Sequence, residues 1–376
     1  IGGISRHSLV KKLLYIVSDI DKALSFEWVA KYFASRYALV FVLIGKQGTA
    51  LEGYLKQTGV AHKVLADSRY QSAPALWWAL WRVIRDERPD IVHTHLWRAT
   101  MFGITASWLA GVRKRIFTRH HGMIHYDLHP SGRKWDRLVN FMATDIIAIS
   151  GNIRTILTSL DGASERKITM IHHGFDLSFL AGASDAEAAA LMDRHGIPQH
   201  TRVIGVIARY THWKGIQYII PAFAKLIARH QDIHLVLANA HGDYAPEIRQ
   251  LLGTLPKDRY TEISFEANLP ALYRTMFVHV HVPVDSRVEA FGQTYVEALA
   301  AGVPSVFSLS GVAPEFIQNG VNALVVDFRD ADGICHAVEK LLVDEDLRRR
   351  LIASGKTSAE SFKLSGMLGK LQDLYD

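Results

Sequence analysis

The sequence predicts an α/β protein made of two doubly wound, Rossmann-like domains facing each other across a cleft. Short, uniformly apolar strands alternate with helix-length segments along most of the chain, as expected for parallel sheets covered on both faces. The alternation breaks once, in a segment rich in Ala, Asp and Gly, and then restarts in the same style. At roughly 100 to 200 residues per domain, a chain of 376 residues suits two such units. A barrel would need one continuous set of eight strand and helix pairs.

Residues 13–17 read as the first strand, 24–34 as a helix and 39–44 as the second strand. Residues 91–93, 115–118, 146–149 and 168–171 read as further short strands. Residues 182–200, with Pro198, interrupt the rhythm and form the linker candidate. After them come a strand at 203–207, a helix at 215–229, strands at 233–237 and 277–282, a helix at 291–301 and a strand at 305–309. The expected division is a first domain at 1–182, a linker at 183–200, a second domain at 201–358, and a C-terminal helix at 359–376 crossing back to the first domain. The default site lies at the carboxyl-end loops of the strands.

A composition of 49% hydrophobic and 21% charged residues excludes collagen-like and wholly disordered chains. The single cysteine, Cys335, excludes an intrachain disulfide framework and reads as a small buried hydrophobe on a helix. No apolar run is long enough to span a membrane, and the first ten residues lack a signal peptide's apolar core, so the expected location is cytoplasmic. Charge is uneven: residues 1–180 hold 24 Lys and Arg against 14 Asp and Glu (+10), and residues 181–376 hold 19 against 23 (−4). That asymmetry suits a first half meeting an anionic partner or the inner face of a membrane, although solvated surfaces alone produce part of it. The basic and aromatic residues do not interleave along a recognised strand motif, which argues against nucleic acid.

The most informative stretch runs from Ser286 to Leu299 and carries Glu289 and Glu297 eight residues apart. Between them Phe291 and Gly292 open a predicted helix, with Gln293 in its first turn, and free N–H groups at a helix start address anions. A helix-dipole acid plus an ordinary surface Glu is the bland alternative. Arg209 closes the strand 203–207 and Lys214-Gly215 follow five residues later. Arg supplies a directed fork and Lys a mobile point charge, a combination able to neutralise a diphosphate. In the first half, Thr118-Arg119-His120-His121-Gly122 follows a strand, and His93 and His95 close the preceding one. Four histidines raise the question of zinc, but there is no HExxH, Cys pair or completing carboxylate. Asp19-x-Asp21 raises the same question for a divalent ion on a diphosphate, whose charge Arg209 and Lys214 already suit. The expectation is no metal.

These motifs together resemble the retaining GT-B glycosyltransferases grouped as family four, from about residue 11 to 372. Glu289 to Glu297 is similar to the family's E-x7-E signature, Arg209 and Lys214-Gly215 to its donor-phosphate residues, and Thr118-Arg119-His120 to its Thr-x-His element. Ser310-Gly311 with Glu315, and Asn319-Gly320 with Asn322, resemble its following loop and turn. The resemblance implies an acceptor-side first domain, a second domain for a nucleotide-sugar donor, no cofactor, and UDP ahead of GDP. It implies sugar-hydroxyl contacts for Glu289, ribose contacts for Glu297, donor contacts for Phe291, Gly292 and Gln293, diphosphate contacts for Arg209 and Lys214, and a place beside the sugar for His120, with His121 an orienting neighbour.

The chain departs from the pattern where Ser18-Asp19-Ile20-Asp21-Lys22 replaces a Gly-rich loop, which Gly2-Gly3, lying before the strand, does not restore. It departs again at Ile207-Ala208 and at Glu266-Ala267-Asn268, which bears on the base. The implied activity is hexosyl transfer to a saccharide or lipid-linked saccharide in polysaccharide synthesis. A nucleotide-sugar 2-epimerase and a non-catalytic sugar-nucleotide binding protein remain alternatives. Trp77, Trp78 and Trp81, with Arg82 and Arg85, suit either an interfacial helix for peripheral membrane attachment or a helix buried on the sheet.

Overall fold

The structure is a computed structural model that describes residues 10–70, 72–123, 126 and 130–376. Gly2 and Gly3 lie outside the described residues. Residue contacts divide the chain into two units: Ile1–His172 with Met367–Asp376, and His173–Gly366.

The first unit is built on a seven-stranded parallel sheet in the order β3-β2-β1-β4-β5-β6-β7. Its strands are β1 (Lys12–Ser18), β2 (Ala38–Gly45), β3 (Ala61–Ala66), β4 (Ile91–His95), β5 (Lys114–Arg119), β6 (Asp145–Ala148) and β7 (Ile168–Met170). The helices between them are α1 (Leu24–Phe33), α2 (Ala50–Gln57), α3 (Ala73–Glu87), α4 (Trp97–Leu109), α5 (Gly132–Met142) and α6 (Gly151–Thr155). β1 and β4 are buried almost throughout, which is why their sequences read as apolar runs without alternation. The sheet reverses direction of growth between β1 and β4, so its crevice opens at Ser18, Asp19 and His95.

The second unit has a six-stranded parallel sheet in the order β10-β9-β8-β11-β12-β13. Its strands are β8 (Arg202–Ile207), β9 (Ile233–Ala238), β10 (Tyr260–Ile263), β11 (Met276–His281), β12 (Ser305–Phe307) and β13 (Leu324–Val325). Its helices are α7 (Leu177–Leu180), α8 (Asp185–His195), α9 (Ile216–Ile227), α10 (Ala245–Leu252), α11 (Leu269–Thr275), α12 (Gln293–Ala300), α13 (Ala331–Val343) and α14 (Glu345–Ala359). Its core joins strand residues such as Ile204, Leu235 and Val278 to Ile219 and Phe223 of α9 and Val338 and Leu341 of α13. Cys335 is buried in that core. Here the order reverses between β8 and β11.

A last helix, α15 (Leu364–Tyr375), begins in the second unit and ends in the first. Tyr375 is fully buried there, and its hydroxyl lies 2.6 Å from Nδ1 of His93. The Tyr37 hydroxyl donates to Oδ1 of Asp376 at 2.7 Å.

Two expectations change. The linker expected at 183–200 is largely helix α8, packed against α11. Its entry is a capping box: the Ser184 hydroxyl accepts from the Glu187 amide, and the Glu187 carboxylate accepts from the Ser184 amide at 2.8 Å. The Ala-rich composition that read as a linker is the composition of a good helix. The chain passes between units at residues 172–173 and 366–367 instead. The helix expected from Phe291 begins at Gln293, because Gly292 adopts a left-handed conformation (φ 85°) that an α-helix cannot contain.

Because α8 is ordered, trypsin acting on the native protein should leave the bond after Arg194 intact, and Ser184→Ala should cost about 1 kcal/mol in a denaturant melt. Early cleavage after Arg194, read by mass spectrometry, would restore the linker assignment.

Candidate functional site

The second unit gathers charge at its switch point. Arg209 lies two residues beyond the end of β8 and is exposed, with no ion-pair partner among the described residues. A single helical turn, His212–Lys214, then carries Lys214. Gly215 follows with φ 74°, and a Cβ there would stand 1.8 Å from the Val282 carbonyl oxygen. Only glycine lets the lysine-bearing turn approach the end of β11 that closely.

Lys214 Nζ meets Oε1 of Glu289 at 2.6 Å, and Nε2 of His281, the last residue of β11, lies 3.3 Å from the same oxygen. Glu289 is 7% exposed. Burial alone would raise its pKa, but the Lys214 ammonium and then His281 reverse that and hold the carboxyl well below its usual range. His281 is itself pushed down by burial, against the pull of Glu289. The Glu289 amide donates to the Ser310 hydroxyl at 3.1 Å, and the Val312 amide donates to the Phe291 carbonyl at 2.9 Å. The Ser310-Gly311 loop therefore fixes the Glu289 to Phe291 segment from behind. Phe291 is buried against His173 and Phe362. Beyond it Gly292 leads into α12, whose first residue, Gln293, is exposed.

Glu297 is a full turn further on and makes a different contact. It accepts from the Tyr273 hydroxyl at 2.9 Å. Its surface is partly open, yet the protein around it pushes its pKa up to about 7 by desolvation, which the Tyr273 bond offsets only in part. Thus Lys214 and Glu289 are in direct contact, and Glu297 is engaged by Tyr273 instead. Glu266 is committed elsewhere, accepting from His195 at 2.8 Å and from the Asn268 amide at 2.7 Å. Asn322 knits its turn by donating to the Phe316 carbonyl at 2.8 Å and the Ser358 hydroxyl at 2.9 Å.

In the first unit His120 follows β5. Its Nε2 lies 3.0 Å from Nδ1 of His95, whose ring stacks on Tyr15 with centroids 4.4 Å apart. Arg119 is buried and pairs with Asp136 at 2.7 Å and Asp161 at 3.0 Å. Its Nε donates to the His121 carbonyl at 3.0 Å, so the backbone on both sides of His120 is anchored. His93 is bridged between Tyr375 and the Thr118 hydroxyl, and burial drops its pKa to about 3. These rings bond to one another and to hydroxyls. Asp19 pairs with Arg98 at 2.7 Å and Asp21 accepts from the Ala50 amide at 3.1 Å, so the aspartates serve separate local contacts. Among the described residues no group of three or more His, Cys, Asp or Glu is arranged to hold a metal ion.

His281, Asp136 and Asp161 are site residues that the motifs did not indicate. The signal for His281 was available: His279 and His281 interrupt an otherwise apolar strand at period two, which puts both rings on one face.

Two family models match. Residues 29–179 match Glycosyltransferase Family 4, and residues 188–358 match Glycosyl transferases group 1. The chain is a family-four GT-B glycosyltransferase. This glycosyltransferase is 25% identical to the uncharacterized glycosyltransferase MJ1607 of Methanocaldococcus jannaschii, over 72% of this chain and 70% of that one. It is 25% identical to a D-inositol 3-phosphate glycosyltransferase of Corynebacterium jeikeium, over 76% and 72%. It is 24% identical to the capsular polysaccharide biosynthesis glycosyltransferase CapM of Staphylococcus aureus, over 77% of each chain. Its fold is shared with Anabaena Alr3699/HepE, solved in complex with UDP and glucose (TM-score 0.85, 20% identity, 97% of this chain and 99% of that one).

The raised Glu297 pKa fixes a sign. The folded protein keeps this carboxyl neutral up to about pH 7, whereas the unfolded chain ionises it near its ordinary value, so stability is lost as pH rises from the unfolded value towards 7. Glu297→Gln should therefore gain melting temperature relative to the unsubstituted protein at pH 8 and not at pH 4. Equal differences at both pH values would mean that Glu297 has an ordinary pKa.

Proposed function

We propose that this glycosyltransferase moves a hexosyl group from a nucleotide-diphosphate sugar to a hydroxyl of a saccharide or lipid-linked saccharide, with retention at the anomeric carbon. The observation that carries the reading is the Lys214–Glu289–His281 cluster at the switch point of the second unit, close in sequence to the unpaired cation of Arg209. A diphosphate needs cations and a sugar's hydroxyls need a fixed acceptor. UDP as the nucleotide is supported by the UDP and glucose in the related HepE structure.

In this reading Arg209 and Lys214 meet the diphosphate, and the amides at the start of α12, from Gly292 and Gln293, add donors to the sugar or phosphates. Phe291 sets the entry of that loop. Glu289 accepts from sugar hydroxyls, fixed in orientation by His281 and by the Ser310 bond. Glu297 accepts from ribose hydroxyls. Within the first unit the His120 ring is oriented by His95 and its backbone by Arg119. As the bond between the anomeric carbon and the phosphate oxygen breaks, its electron pair stays on the phosphate. The acceptor hydroxyl forms the new bond on the same face, and its proton passes to the departing phosphate. Lys214 and Arg209 accelerate this step to the extent that they bind the growing phosphate charge more tightly than the intact donor. Lys214 changes partners only in part, since its ammonium has protons for both Glu289 and a phosphate oxygen.

Arg209→Ala should reduce acceptor-dependent release of nucleotide diphosphate about 100-fold or more without lowering the melting temperature, because this exposed side chain makes no ion pair among the described residues. Unchanged turnover would remove Arg209 from the site. Product NMR should report a retained anomeric configuration, and an epimer formed from donor alone would replace transfer with 2-epimerisation.

A further inference from the structure

We propose that Tyr273 is a positioning residue for Glu297: it holds one carboxylate oxygen so that the other is presented to the ribose hydroxyls of a nucleotide. Tyr273 thereby sets the preference of the second unit for a ribonucleotide. The inference rests on the reading that Glu297 accepts from ribose, and adds to it a residue outside the E-x7-E motif. Glu297 stands on α12 one turn beyond Gln293 and is half-buried. A glutamate projecting from a helix into a partly open place samples several rotamers unless something fixes it. Here Oε2 accepts from the Tyr273 hydroxyl at 2.9 Å, while Oε1 has no hydrogen-bond partner among the described residues. One oxygen is tethered and the other is available to a ligand.

The chemistry of Tyr273 suits this task. Its side chain is fully buried, and burial, with the neighbouring Glu297 carboxyl behind it, pushes the phenol pKa well above its ordinary value. The phenol therefore keeps its proton as a donor. A buried hydroxyl without a partner is unfavourable, so the bond to Glu297 holds both groups in place. His279 of β11 meets the Tyr273 ring edge-on, with centroids 5.8 Å apart. Burial drops the His279 pKa to about 3, so this neighbour adds packing without charge.

The helix that carries Tyr273 is itself braced. α11 packs against α8, with Pro270, Ala271 and Leu272 buried. Its start is capped by Asn268, whose side chain accepts from the Ala271 amide at 3.1 Å. The Asn268 amide in turn donates to Oε1 of Glu266, and Nε2 of His195 lies 2.8 Å from Oε2 of the same carboxylate. A continuous line of contacts runs from α8 through Glu266 and α11 to the Tyr273 hydroxyl. An acceptor aligned before binding leaves less to be ordered when the ligand arrives. The gain falls on nucleotides that carry ribose hydroxyls and not on those that lack them.

The test is isothermal titration calorimetry of the full chain with UDP and with 2′,3′-dideoxy-UDP, repeated with the guanine pair so that the outcome does not hang on the base. The unsubstituted protein should prefer the ribonucleotide by about 30-fold or more. Tyr273→Phe keeps the buried ring and removes only the hydroxyl. It should weaken binding of the ribonucleotide about tenfold and leave the dideoxy nucleotide within about twofold, so that the preference shrinks to about threefold. Glu297→Ala should abolish the preference, and adding Tyr273→Phe to it should change neither affinity further. A Tyr273→Phe protein with a lower melting temperature but an undiminished preference would reduce the residue to a structural contact and overturn the inference. If Glu297→Ala has meanwhile lost the preference, the ribose reading of Glu297 stands without Tyr273. A Glu297→Ala protein that keeps its preference would overturn both.

Discussion

The ion pair between Lys214 and Glu289 is the constraint on which the candidate site depends. A carboxylate this deeply buried is costly unless a cation meets it, and here the cation arrives on a single helical turn that only Gly215 lets approach the end of β11. The pair therefore ties the loop after β8 to the loop after β11 across the point where the sheet reverses. Breaking it would leave a charge in a poorly solvated place. That same property makes the position useful, because an anionic ligand can share the ammonium without the protein having to assemble the site anew.

The two units stabilise their strand-end loops with opposite charge patterns. In the second, a buried carboxylate is held by a lysine and a histidine. In the first, the buried Arg119 is held by Asp136 and Asp161, and its Nε donates to the His121 carbonyl. Both arrangements fix a short backbone stretch beside a motif side chain, Glu289 in one case and His120 in the other. His95 adds to the second case by addressing the His120 ring.

Much of this was legible in the sequence because parallel strands buried on both faces leave long apolar runs. β1, β2, β4, β8, β9 and β11 could be read that way, and each lies inside its sheet. β3, β10 and β13 leave no such run, and all three are edge strands. β3 alternates in burial, β10 has only one buried residue, and β13 has two residues in all, so none leaves an apolar run. The site motifs stand on loops and helix starts, whose residue types are demanded by chemistry and survive in local spacing. Partners contributed from distant strands, such as His281 to Glu289 or Asp161 to Arg119, have no such spacing. They become visible only when the sheet order brings them together. The segment around α8 failed for another reason: alanine and aspartate suit a capped helix as well as a linker, and Ser184 with Glu187 three residues later was the feature that separates them.

The most direct test of the account is a crystal structure of the protein with an intact or non-hydrolysable UDP-sugar. The account predicts diphosphate oxygens within about 3 Å of Lys214 Nζ and of the Arg209 guanidinium, with Glu289 facing the sugar. A diphosphate bound elsewhere, with the Lys214–Glu289 pair undisturbed and Arg209 in solvent, would contradict it.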